Sequence, residues 1–298
     1  MVKGRAIVSL VNTSDRASGI PAAINLLQID RVQGKSVLLK PNFNTADPFP
    51  GSTHNDTLAS LIVQLKKMGA KAIIVGDRSG PTETSEVIRK KAVDRLCRDH
   101  GAELVNFEDL PRDQWERIKP EGCHWRAGFD IARPVLNAGA VVTTCCLKTH
   151  GYGAVFTMSL KISVGMVHKH NMGELHSSSL NMRKMIAEIN QAYAPALIVL
   201  DGIEAFTDQG PMIGTRKRAD VILAGTDRVA IDAVGLAVLK QLGSNKAIMD
   251  TKIFEQEQIA RAAALGLGAA GPGEIEIVTS DDKSAQYAHR IRKILQLG

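Results

Sequence analysis

The strongest constraint on this chain is a recurrence of short apolar runs separated by stretches of helical spacing. The runs fall near 5–11 (RAIVSLV), 36–40 (SVLLK), 72–76 (AIIVG), 102–107 (AELVNF), 140–147 (AVVTTCCL), 196–200 (ALIVL) and 220–224 (DVILA). Each is short enough to be a strand buried on both faces, and β-branched residues are frequent in them. Between them, apolar spacing predicts helices near 54–68, 83–98, 155–167, 176–192, 227–242, 252–266 and 283–296. Strands alternating with helices imply parallel strands joined by crossovers. The expected fold class is therefore α/β, a mostly parallel, helix-covered sheet with a cleft at the carboxyl ends of its strands. The segment 108–135, with Pro111, Pro120, Trp115 and Trp125, has no clear period and reads as an excursion from this rhythm.

The 298 residues read as one α/β unit over 1–298 or as two lobes that share strands. No internal repeat, low-complexity tract or Gly/Ser linker marks a boundary. No apolar run approaches the roughly 18 to 20 residues that span a bilayer. The opening MVKGRAIVSLVNTSDR turns polar too early for a signal peptide, so a cytoplasmic protein without membrane contact is expected. Cys97, Cys123, Cys145 and Cys146 lack CxxC spacing and fit reduced thiols in that compartment. Aromatic residues at 4% are too sparse for a base-stacking surface. The densest basic run, Arg216-Lys217-Arg218, is too short for a nucleic-acid stripe. A net charge of +6 fits a small anionic molecule better than nucleic acid, with solvated surface charge as the plain alternative.

Chemistry concentrates just after the apolar runs and in the stretch between Cys145 and His176, which holds four of the eight histidines. If the strands are parallel, Lys40, Asn42, Asp77, Lys148, His150, Asp201 and Asp227 gather along one rim. Such a rim could hold an anion and move a proton; the alternative is that the aspartates cap turns and helices. On the predicted helix 155–167, Thr157, Lys161, Val164 and His168 share a face at i, i+4, i+7 and i+11. His168, His170 and His176 could supply imidazoles to a metal, although no familiar zinc spacing accompanies them. Gly210 and Gly214 sit in a loop whose backbone could approach a ligand closely. There is no GxGxxG, GxxxxGK[ST] or GxSxG, so a nicotinamide site, a P-loop and a hydrolase elbow find no support.

These motifs occur together and in order: Lys40-Pro41-Asn42, Gly76-Asp77, Lys148-Thr149-His150, Thr157 with Ser159-Leu160-Lys161, Asp201-Gly202, Gly210-Pro211 with Gly214, and Ala224 through Ala233. The combination resembles the prokaryotic domain-of-unknown-function family 362 over about residues 36–240. Some members of that family carry a ferredoxin-like segment, but this chain has no C-x2-C-x2-C run, and no iron–sulfur cluster is expected. The family also resembles, distantly, the N-terminal part of nickel-pincer lactate racemases, where a lysine and a histidine hold a nickel cofactor and histidines exchange a proton. That likeness implies Lys148 or Lys161 as anchor and His150, His168 or His176 as acid/base groups.

The leading expectation is an enzyme, racemase-like or an oxidoreductase, acting on a small carboxylate or phosphate by proton or hydride transfer. In it Lys40, Lys148 and Lys161 neutralise the anion, His150 shuttles the proton, and Asp77 or Asp201 orients that imidazole. Asn42, Thr149, Thr157, Gly210, Gly214 and Asp227 would line the ligand, and a divalent metal or nickel-type cofactor would fit the histidines. The alternative is a non-catalytic metal- or cofactor-binding protein docking beside a redox partner.

Overall fold

A computed structural model describes residues 4–298. Residues 1–3, the start of the stretch read against a signal peptide, lie outside it. Among the described residues, eleven strands form: β1 (Ala6–Asn12), β2 (Ser36–Lys40), β3 (Ala72–Asp77), β4 (Glu103–Asn106), β5 (Trp115–Ile118), β6 (Phe129–Ala132), β7 (Ala140–His150), β8 (Val155–Thr157), β9 (Pro195–Gln209), β10 (Gly214–Gly225) and β11 (Ile275–Val278). Nine of them make one sheet in the order β11-β1-β10-β9-β7-β2-β3-β4, with β8 paired to β7, while β5 and β6 form a separate hairpin.

The expected mostly parallel sheet is present. β2 runs parallel to β3 and β7, β3 to β4, β7 to β9, and β1 to β11. β10 is antiparallel to both its neighbours. It follows β9 through a hairpin, which reverses the chain without a crossover.

Both faces are covered, which is why the strands read as continuous apolar runs. Along β9, Leu197 and Val199 face one core and Ile198 and Leu200 the other, as the two-residue period requires. The first core packs under the helix Asn55–Lys67, whose Leu58, Leu61, Ile62 and Leu65 fall at i, i+3, i+4 and i+7. The second packs under Arg228–Leu242, which is buried along nearly its whole length, and Asp282–Leu297. The helix Arg16–Asn25 and the closing strand β11 were not anticipated from the sequence.

The segment 108–135 is an excursion as expected: the β5–β6 hairpin buries Trp115 and Trp125 in a third core against the helix Met182–Ile189. The predicted helix over 155–167 does not form. Val155–Thr157 pairs antiparallel with β7, and Lys161–Met166 is a 3-10 helix. Phe156, Met158 and Leu160 recur every second residue and all enter one core, so period two overrides the helical reading. Among the described residues, no helix is long and apolar enough to cross a membrane.

Candidate functional site

Lys40, Asp77, Lys148 and His150 come together because β2, β3 and β7 are parallel neighbours and end at one edge. Lys40 Nζ lies 2.6 Å from Asp77 Oδ1 and donates to the Pro41 carbonyl at 2.8 Å. Asp77 Oδ2 accepts from the Phe43 amide at 2.8 Å. Lys148 is fully buried, and its Nζ donates to the carbonyls of Gly51 and Pro211. Thr157 stands opposite Lys148 on β8, which brings its side chain to the same face. Lys161 opens the 3-10 helix, and its amine donates to no described side chain or backbone group.

The three lysines enclose a cavity of about 50 Å³ together with Asn42, Asn44, Arg78 and Pro211. It adjoins an outer chamber of about 510 Å³, which shares Asn44, Arg78, Lys161, Val164 and Pro211. The chamber adds Pro81, His150, Tyr152, Met172, His176 and Met212. Around the inner cavity, Asn42 Oδ1, Asn44 Nδ2 and Thr157 Oγ1 are buried without a hydrogen-bond partner. A buried polar atom left unpaired costs on the order of 1–3 kcal/mol, so this concentration calls for a polar occupant.

Burial of charge dominates the electrostatics. It pulls the Lys148 amine down to about 8, partly opposed by the nearby Cys146 and Asp47. It pulls Lys161 down to about 7, with the charges of Lys148 and Arg78 adding to the effect. Burial also lowers Lys40 and raises Asp77, and their contact opposes both shifts. His150 falls to about 2 through burial and the charges of Lys161 and Lys148, so it is neutral. Its Nδ1 accepts from the Tyr152 amide at 3.2 Å, which leaves an Nε2–H donor. His176 Nδ1 donates to the Met172 carbonyl at 2.8 Å, which leaves Nε2 as an acceptor when the ring is neutral. The chamber therefore holds imidazoles of opposite hydrogen-bonding sense.

Side chains outside the cavity fix the position of Lys161. Asp232 accepts from the Ser159 amide at 2.6 Å and the Leu160 amide at 3.0 Å. Asn190 donates to the Leu160 carbonyl at 2.9 Å, and Arg228 holds Asn190 through both its Oδ1 and its carbonyl. Arg78 donates to the carbonyls of Val164, Val167 and Ser79, which ties the 3-10 segment to the end of β3. Gly165 lets this segment close over the ion pair: a Cβ there would lie 2.6 Å from Asp77 Oδ1 and 2.7 Å from Lys40 Nζ.

Several expected site residues lie elsewhere, each for a physical reason. Asp227 is at the opposite end of the sheet because β10 is antiparallel; it caps the helix Arg228–Leu242 and accepts from the Val229, Ala230 and Ala269 amides. Asp201 is on the face of the helices Arg16–Asn25 and Asn55–Lys67, bound by Arg16 at 2.7 Å and Thr57 at 2.5 Å. Neither Asp77 nor Asp201 bonds His150, so neither orients that imidazole. Thr149 points to the sheet face opposite Lys148 and lines neither cavity. Gly210 and Gly214 serve the hairpin itself: Gly210, at φ +72°, closes against the Thr149 carbonyl, and its successor Pro211 is what reaches the site.

The stripe of Thr157, Lys161, Val164 and His168 dissolves with the predicted helix. The first three still line the inner cavity, while His168 packs edge-on against Trp115. His170 lies 3.2 Å from Asp130, whose carboxylate is also held by Arg112 and Arg117, and His176 is in the outer chamber. His168 and His170 thus lie against each other, with ring centroids 4.4 Å apart, while His176 stands apart, and among the described residues no group of three or more His, Cys, Asp or Glu is arranged as a metal site. Sequence reading missed Arg78, Asn44, Asn190, Pro211, Met212 and Asp232 as contributors. Asn44 and Arg78 adjoin residues that were singled out, and Asp232 sits in a quoted motif, but Asn190 carries no local signal.

This is the architecture of an α/β protein of the lactate racemase fold class. The lactate racemase apoprotein from Thermoanaerobacterium thermosaccharolyticum superposes with a TM-score of 0.50, covering 97% of this chain and 86% of that one, at 12% identity. The chain belongs to the family described as Domain of unknown function (DUF362), whose profile matches residues 37–237. It is also 25% identical over 214 residues to the Thylakoid-associated protein sll1697 of Synechocystis sp., a match covering 70% of this chain and 64% of that relative's length.

Proposed function

We propose that this chain is a cytoplasmic enzyme that seats the carboxylate or phosphate of a small metabolite among Lys40, Lys148 and Lys161 and moves a proton at the adjoining carbon. The observation that carries the reading is the inner cavity itself. Three lysine amines meet there beside orphaned Asn44 and Thr157 donors, with Asp77 as the carboxylate among the lining residues and Asp47 acting on Lys148 from outside the cavity. An anionic group would satisfy the donors and offset the charges that burial makes costly.

Lys161 is the proton-transfer group in this reading. Its amine is free of hydrogen bonds to the described residues and titrates at about 7, so both protonation states are populated near neutral pH. Lys148 is the anion anchor, held by two carbonyls and charged below about 8. His150 is a hydrogen-bond donor rather than a shuttle, because an imidazole titrating at about 2 does not take up a proton at neutral pH. A nickel-type cofactor does not fit the residues of the outer chamber: His150 spends Nδ1 on the Tyr152 amide and carries its proton on Nε2, which leaves no lone pair for a metal, and Lys161 serves the proton step.

The test is solvent exchange. The protein is incubated in D2O with lactate, malate, glycerate and 3-phosphoglycerate, and loss of the carbon-bound proton is followed by NMR. Exchange should rise as Lys161 deprotonates through pH about 7 and fall as Lys148 loses its charge above about 8. Lys161→Met should abolish exchange. Saturable binding without exchange would replace the enzyme with a non-catalytic binding protein, and no binding of any anion would end the proposal.

A further inference from the structure

We infer that the ligand of this site is an amphipathic acid, with its anionic head in the lysine cavity and an apolar body of several carbons in the outer chamber. This rests on the anion reading and adds the substrate class. The inner cavity, at about 50 Å³, takes a head group and little else. The outer chamber, at about 510 Å³, is within the roughly 300–1,000 Å³ of pockets that enclose whole small molecules. A ligand of the size of lactate or phosphate would leave most of it unfilled.

The chamber walls specify what fills that space. Pro81, Val164, Met172, Pro211 and Met212 present apolar surface, and the two methionines can adjust their shape to a chain. Beyond the shared Asn44, Arg78 and Lys161, its polar groups are Lys169, the Tyr152 hydroxyl and the imidazoles of His150 and His176. Those imidazoles offer one donor and one acceptor to a hydroxyl or carbonyl on the body of the ligand. The apolar character continues outward: Tyr152, which lines the chamber, is 63% exposed, and Ile213, beside Met212, is 77% exposed. Large side chains with bare apolar surface at the mouth of this chamber match the trailing end of a lipophilic body.

The experiment is a chemical-shift titration with acetate, butanoate, hexanoate and octanoate, with octanamide as the uncharged control. Burial of each added methylene should tighten binding about fourfold. Met212→Asp and Tyr152→Ser, changed separately so that one misfolded variant leaves the other readable, should each flatten this dependence. Lys161→Met should weaken octanoate while leaving octanamide unaffected. Equal affinity from acetate to octanoate would overturn the amphipathic class and leave the anion site standing. Equal affinity for octanoate and octanamide would instead overturn the anion site, and the inference with it, as would failure of every acid to bind.

Discussion

Replacing Lys161 by methionine should make the protein more stable while it weakens anion binding. The amine titrates at about 7 in the folded chain against 10.5 in an unfolded one. At about 1.4 kcal/mol for each tenfold change, that difference sets an upper bound near 5 kcal/mol on the cost of keeping the charge in the cavity. Lys161 faces a cavity that admits water, which screens part of this, so about 2 kcal/mol is the expected gain. Methionine has a similar length, and no hydrogen bond to a described residue is lost. Because the folded pKa is depressed, the unfolded state alone holds the proton between pH 7 and 10.5, and wild-type stability rises with pH across that window. The gain should therefore be full below pH 7 and disappear towards pH 10.5. Urea midpoints for both proteins at pH 6, 8 and 10, with an octanoate titration at pH 6, provide the assay. A variant less stable than wild type at pH 6, or a gap that does not change with pH, would refute the picture of an unpartnered, largely desolvated amine.

Other substitutions separate the site from its supports. Arg16→Met leaves Asp201 with Thr57 as its remaining side-chain partner and should cost roughly 3 kcal/mol in urea unfolding, without changing the affinity for anions. Gly165→Ala forces a Cβ onto the Lys40–Asp77 pair, so a loss of about 1–3 kcal/mol together with weaker anion binding is expected; unchanged values would show that the 3-10 segment moves freely. Asp232 is pushed up to about 7 from 3.8 by burial, so the folded state alone holds its proton between those values and its contribution to stability falls as pH rises through that window. The stability of wild type relative to Asp232→Asn should then fall by up to about 4 kcal/mol from pH 4 to pH 7, as read from urea midpoints, and a constant difference would rule out this titration.

Lys40, Asp77, Lys148 and His150 were legible because each follows or ends a parallel strand, and such ends share an edge. Thr157 and Lys161 were also found, though on a helix that does not form: their place in the cavity comes from β8 pairing with β7 and from Asp232 holding the turn between them. Asp201 and Asp227 look like Asp77 in the sequence, each closing an apolar run. They part company because β9 continues past Asp201 with its side chain towards Arg16, and because β10 runs the other way.

Local periodicity is written into every segment, so the sequence alone determined the α/β class, most strands and helices, the buried faces of the sheet, and the family. Strand direction at the β9–β10 hairpin, the short pairing of β8, and the face each side chain takes depend on partners distant in the chain. Only the tertiary structure could therefore decide that three lysines share a small cavity, that Asp201 and Asp227 leave it, and that the histidines of 168–176 divide between Asp130 and the outer chamber. The protonation of Lys161 and His150 follows from the same source, because desolvation belongs to the assembled site rather than to any residue or its neighbours in sequence.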